Sequence, residues 1–243
     1  MPRFFVNSSD IQGDFITISG DDASHITKSL RMKAGQSVTV CDTRNTDYIC
    51  TISEIGAGSV FLHIESRERT QSEPHVSVTL YQGYPKGDKL EFITEKAVEL
   101  GAMEVVPVVT ARSVARPDRK SAEKKHERLC RHALEAAKQC GRGIIPKISL
   151  PVKFSAIGDL LGRHDLLIFC YEGGGRPLSK VMGGSSASDI GVIIGPEGGF
   201  DPSEAETLAS LGAVTVSLGS RILRTETAAL AALTAVMFAR GEM

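Results

Sequence analysis

From residue 76 onward, short β-branched runs alternate with segments whose apolar residues recur at helical spacing, and two of the runs end in glycine loops that lead into a helix. Alternation of this kind calls for a largely parallel sheet, because strands joined through helices pair side by side only by crossover connections. The two loops are residues 194–200 (IGPEGGF) and 217–228 (SLGSRILRTETA). Each joins a strand, a glycine turn and a helix N-terminus, where backbone N–H groups point outward and the chain can approach a ligand closely. Two such corners within about one βαβ unit of each other read as two walls of a single small-molecule site.

The pattern predicts strands over 76–82, 103–109, 165–171, 190–194 and 213–218, and helices over 88–100, 119–139, 202–211 and 226–240. Asp201, Pro202 and Glu204 place a cap, a first-turn proline and a carboxylate at one helix start, and Thr225 with Glu226 is expected to do the same for the last helix. The first 70 residues are different, with short strands over 14–18, 37–42, 47–55 and 60–65 and one helix between 19 and 35. The polar stretch 67–74 (RERTQSEP) separates the two patterns, so the expected domains are a β-rich unit over 1–72 and an α/β unit over 73–243.

Several functional classes are excluded. The N-terminal residues (MPRFFVNSSD) lack the apolar run of a signal peptide, and the apolar stretch around 228–238 is too short to cross a bilayer, so a cytoplasmic location without membrane contact is expected. Five cysteines carry no C-x-x-C spacing and six histidines no H-x-H or H-x-x-x-H pairing, which argues against a disulfide framework and a metal site. No G-x-G-x-x-G follows a strand, and neither G-x-x-x-x-G-K-[ST] nor G-x-S-x-G occurs, against a nucleotide-dependent oxidoreductase, a P-loop enzyme and a serine hydrolase. What is left is a pair of loops rich in backbone donors and poor in reactive side chains. Such loops suit a ligand that carries its own activated group. Net charge is −1, yet residues 112–142 hold ten Lys and Arg against four Asp and Glu, as expected of a footprint for a polyanion or of a solvated helix face.

Together with residues 90–107 (LEFITEKAVELGAMEVVP) and 135–146 (EAAKQCGRGIIP), the two loops resemble the RsmE family of ribosomal RNA methyltransferases in the SPOUT superfamily, across nearly the whole chain. The resemblance implies an N-terminal PUA-like β-barrel, a C-terminal α/β domain with a deep trefoil knot, and a homodimer. It also implies S-adenosylmethionine as methyl donor and N3 of one uridine in 16S ribosomal RNA, free or in the small subunit, as acceptor. A non-catalytic RNA-binding or ribosome-associated protein that keeps the fold is the alternative; it would be free to lose the loop glycines and Arg224, which are intact here.

On this resemblance the cofactor site comprises the strand end Phe169, Cys170, Tyr171 and Glu172, the loop Gly195, Pro196, Glu197, Gly198 and Gly199, and Leu218, Gly219, Ile222, Leu223 and Thr225. Arg224, Arg142 and Glu226 are the candidate catalytic groups; positive charge from Arg224 or Arg142 would stabilise a deprotonated uracil. Gln139 carries donors for a uracil edge or a neighbouring phosphate. Arg112, Arg116, Arg119, Lys120, Lys124 and Lys125 are candidate phosphate contacts, and Arg3, Lys28, Arg31 and Lys33 a second patch. The chain departs from the family pattern at Lys138, where many relatives carry an acidic residue, so no base is assigned.

Overall fold

The computed structural model describes all residues 1–243. The chain divides into two compact units, Met1–Glu73 with Ala137–Ile145, and Pro74–Ala136 with Pro146–Met243. In the first, strands β1 (Arg3–Phe5), β2 (Ile11–Gln12), β3 (Phe15–Ser19), β4 (Ser37–Cys41), β5 (Thr46–Ile55) and β6 (Ser59–Arg69) form one six-stranded sheet. Its order is β1-β4-β5-β6-β3-β2, antiparallel except where β1 joins β4. Alternate residues point to one core, which collects Ile16 and Ile18, Val38 and Val40, Cys50 and Ile52, and Val60 and Leu62. Helix α1 (Gly20–Ser24) continues into a wide turn over His25–Ser29, and Ala23 and Ile26 close the core from that side.

A buried ion pair is among the contacts that join residues 137–145 to this unit. Arg142 donates from Nε and Nη2 to the Glu73 carboxylate, each at 2.8 Å. The same carboxylate accepts from the backbone N–H groups of Gly143 and Ile144 at 2.7 and 3.1 Å. With the two side chains 3% and 5% exposed, the pair survives burial because hydrogen bonds surround it. Arg142 therefore has a structural role that the sequence did not disclose. The Arg3 guanidinium is likewise engaged, fork to fork with Asp47 at 2.6 Å, which removes it from the expected RNA-binding patch.

The second unit contains β7 (Ser77–Gly83), α2 (Lys89–Glu99), β8 (Glu104–Val109), α3 (Arg119–Cys140, whose last residues belong to the first unit), β9 (Lys147–Ile148), β10 (Val152–Lys153), α4 (Gly158–Leu161), β11 (Leu166–Cys170), β12 (Arg176–Pro177), α5 (Leu178–Gly183), β13 (Asp189–Ile194), α6 (Pro202–Ser210), β14 (Val214–Ser217) and α7 (Thr225–Ala239). Its sheet runs β10-β8-β7-β13-β11-β14-β12, with β9 beside β8, and every pairing is parallel. Strand β13 thus inserts between β7 and β11, although both precede it in the chain. The central strands are buried on both faces, which is why they read as continuous apolar runs. The expected start of α6 is realised in full: Asp201 accepts from Ser203 N–H, and Glu204 reaches back to Asp201 N–H at 3.0 Å.

Candidate active site

The C-terminal ends of β11, β13 and β14 point the same way because the sheet is parallel, and the loops that leave them close around a cavity of about 650 Å³. That size suits a small-molecule site. Its walls are Cys170, Tyr171 and Glu172 after β11, the loop through Gly195, Pro196, Glu197 and Gly199 after β13, and residues 216–225 after β14. Two glycines hold these walls in place. Gly199 adopts φ +68°, and a Cβ there would land on the Glu172 carboxylate. At the end of β7, a Cβ on Gly83 would overlap the ring and backbone nitrogen of Pro196. At Gly83 chain passes against chain, so only glycine fits there, whereas at Gly199 the left-handed backbone favours glycine.

Side chains from a third segment complete the site. Lys86, in the turn from β7 into α2, and Lys89, the first residue of α2, line the cavity. Lys89 Nζ pairs with Glu197 at 3.1 Å and with Glu226 at 3.0 Å, one carboxylate from each loop region. Burial raises the Glu197 and Glu226 carboxyls, but backbone N–H groups and Lys89 outweigh it and hold both below the usual carboxylate range. Lys89 is raised above the usual lysine range, chiefly by Glu226. The sequence reading missed both lysines, although their position just past a parallel strand was a usable signal. Burial pushes the Cys170 thiol up to about 12, so it stays neutral and is no nucleophile near pH 7.

Of the residues expected to hold a cofactor, Cys170, Tyr171, Glu172, Gly195, Pro196, Glu197, Gly199, Leu218, Gly219, Ile222, Leu223 and Thr225 line this cavity. Phe169 does not; it is 1% exposed and packs edge-on against Phe200 in the core, as the inward residue of a strand buried on both faces must. Gly198 also turns away, toward the backbone of Arg112. Thr225 is not the cap of α7. Arg224 occupies that position, and the Thr225 hydroxyl donates to the Gly195 carbonyl at 2.6 Å while accepting from Gln82 Nε2 at 2.8 Å. The tertiary acceptor outcompetes the local one because Thr225 already has helical geometry.

Arg224 lines the cavity, is exposed, and has no carboxylate within ion-pair distance. Glu226 faces Lys89 and does not line the cavity, and Gln139 and Arg142 belong to the first unit. The basic residues divide in the same manner. Lys28, Arg31, Lys33 and Lys120 are exposed cations, and Arg119 is 94% exposed beside Glu123. By contrast, Arg116 is anchored on the Ala111 carbonyl at 2.7 Å, Arg112 leans on the Gly198 carbonyl, and Lys125 is bound to the buried Glu91. Lys138 pairs with Asp22 at 2.8 Å.

Comparison with known proteins bears on the whole chain. Residues 71–237 match the RNA methyltransferase domain family, and residues 18–65 the RNA methyltransferase PUA domain family. The chain is 32% identical to the ribosomal RNA small subunit methyltransferase E of Bacillus subtilis, over 98% of its own length and 96% of the relative's. With the protein of that name from Mesomycoplasma hyopneumoniae it shares 31% identity, over 96% and 98% of the two chains. The crystal structure of a ribosomal RNA small subunit methyltransferase E from Neisseria gonorrhoeae bound to S-adenosyl methionine superposes with a TM-score of 0.84, at 26% identity, over 98% of this chain and 97% of that one.

Proposed function

This chain belongs to the RNA methyltransferase family that includes the ribosomal RNA small subunit methyltransferase E proteins, and from that membership we propose that it methylates N3 of a uridine in small-subunit ribosomal RNA with S-adenosylmethionine. The observation that carries this reading is the cavity walled by the two glycine loops, with Arg224 as an exposed cationic wall residue that has no carboxylate within 4 Å. Its size and its glycine-framed backbone walls, with Ile194, Leu218 and Leu223 as apolar lining, fit an adenosyl group. Bound there, S-adenosylmethionine supplies a methyl group activated by a sulfonium.

The chain's own residues then position and polarise. The backbone of residues 194–199 and 218–223 shapes the cavity wall, and Lys89 holds the carboxylates on either side of it. N3 of uridine is a weak acid, and its deprotonated form is the better nucleophile. Arg224, at the wall, stabilises the negative charge that develops on the uracil ring. Glu226, held ionised by Lys89, acts in positioning and not as the base. Lys28, Arg31 and Lys33 in the first unit, and Arg119 and Lys120 in the second, take phosphates of the RNA.

The knot and the homodimer belong to the same proposal, as do a cytoplasmic location and 16S ribosomal RNA, free or in the small subunit, as partner. Ile222, 89% exposed, and Phe238, 72% exposed, offer apolar surface that a second copy would cover. The decisive experiment is mass mapping of 16S ribosomal RNA from cells with and without the gene, beside calorimetry with S-adenosylmethionine. Loss of one uridine methyl in the deletion strain is the expected result. A missing methyl on another base would overturn the acceptor, and no binding heat would overturn the enzyme.

A further inference from the structure

The residues that bring the two glycine loops together include one that does not line the cavity. Gln82, the penultimate residue of β7, is fully buried. Its Nε2 donates to Thr225 Oγ1 at 2.8 Å and to the Gly83 carbonyl at 3.0 Å. Thr225 passes its own proton on to the Gly195 carbonyl at 2.6 Å. The orientation of the amide is fixed by this network, because a flipped Gln82 would set its oxygen against the Gly83 carbonyl and leave the Thr225 hydroxyl without a donor. In that orientation Gln82 Oε1 is buried with no hydrogen-bond partner. A buried orphan of this kind destabilises a fold, so an apolar residue of similar volume would serve packing better.

We propose that Gln82 is a positioning residue for methyl transfer, which through Thr225 locks the Gly195 carbonyl and so sets the spacing of the two loops that hold S-adenosylmethionine. The inference rests on the methyltransferase reading above. Three features of the same strand and turn converge on that spacing. Gly83 lets Pro196 lie directly against β7, Gln82 ties Thr225 to the strand end, and Lys89 bridges Glu197 to Glu226. The buried chain is neutral and directional, whereas the Lys89 bridge is partly exposed and ionic. Gln82 and Thr225 therefore fix geometry, and Lys89 adds attraction that salt weakens.

A purely structural glutamine and a positioning one predict opposite pairings of stability with function. Gln82→Leu removes the orphan oxygen along with the donor. Its thermal midpoint should stay level or rise, while affinity for S-adenosylmethionine falls on the order of tenfold, the worth of one buried hydrogen bond. Amide hydrogen exchange over residues 195–199 and 218–223 should quicken in the same variant without ligand. Thr225→Ser, which keeps the hydroxyl, should lose less affinity than Thr225→Val, which removes it. A Gln82→Leu protein with unchanged affinity and unchanged loop exchange would overturn the proposal, as would parallel losses of midpoint and affinity. If the wild-type protein itself gave no heat, the methyltransferase reading would fall, and the exchange measurement would still decide whether Gln82 holds the loops.

Discussion

At the scale of single residues, the site separates cations that are already engaged from cations that are available. Arg142 and Arg3 are held in bidentate pairs with Glu73 and Asp47, and Lys125 with Glu91, whereas Arg224 stands at the cavity wall without a carboxylate. Arg224→Ala should therefore lower kcat by about 100-fold, the usual cost of removing one group aimed at developing charge, while S-adenosylmethionine affinity changes by less than about threefold. Steady-state kinetics with calorimetry check this, and equal losses in both would make Arg224 a binding residue. Lys89 yields a pH prediction. The depressed Glu197 and Glu226 contribute stability that is present above the ordinary carboxylate value and lost as pH falls through their lowered ones. Raised Lys89 contributes stability present below its ordinary value and lost as pH rises through the higher one. Stability from this cluster is accordingly flat from roughly pH 5 to roughly pH 10. Thermal melts between about pH 5 and about pH 3 should show a shallower loss in Lys89→Met than in wild type, because its carboxylates return toward ordinary values.

At the scale of elements, local signals fixed what each segment is. Alternation gave the strands of the first unit and continuous β-branched runs those of the second, and the run Asp201, Pro202, Glu204 placed the start of α6 because a cap, a fixed φ and a reciprocal carboxylate act within four residues. Asp201→Ala should lower the denaturant midpoint, nearly all of it through the lost cap, since the exposed ion pair of Asp201 with Arg112 is worth little. Where a tertiary partner competes, the local signal misleads. Thr225 carried the sequence marks of a cap, yet its hydroxyl serves Gly195 and Gln82 from inside the first turn of α7. Phe169 was expected at the ligand as part of the strand end 169–172, and it lies instead in the core against Phe200. Short elements such as α4, α5, β9, β10 and β12 left no readable period, since two to six residues are too few to establish one.

At the scale of the whole molecule, the exposed cations predict a salt signature. Replacing Lys28, Arg31 and Lys33 together by alanine should weaken RNA binding at low salt and lower the slope of log affinity against log salt by roughly 2, with S-adenosylmethionine affinity unchanged. A slope unaltered in filter-binding titrations would assign those charges to solvent. The sequence by itself determined the alternation of strands and helices, the two glycine loops, the capped start of α6 and the basic stretch, because each depends on residues within a turn or two of one another. Only the tertiary structure decided that β13 enters between β7 and β11, that residues 137–145 return to the first unit, and that Gln82, Lys89, Gly195, Glu197 and Thr225 meet. Strand order sets which strand ends are neighbours, and hydrogen bonds between residues 30 and 143 positions apart leave no periodic trace in the chain.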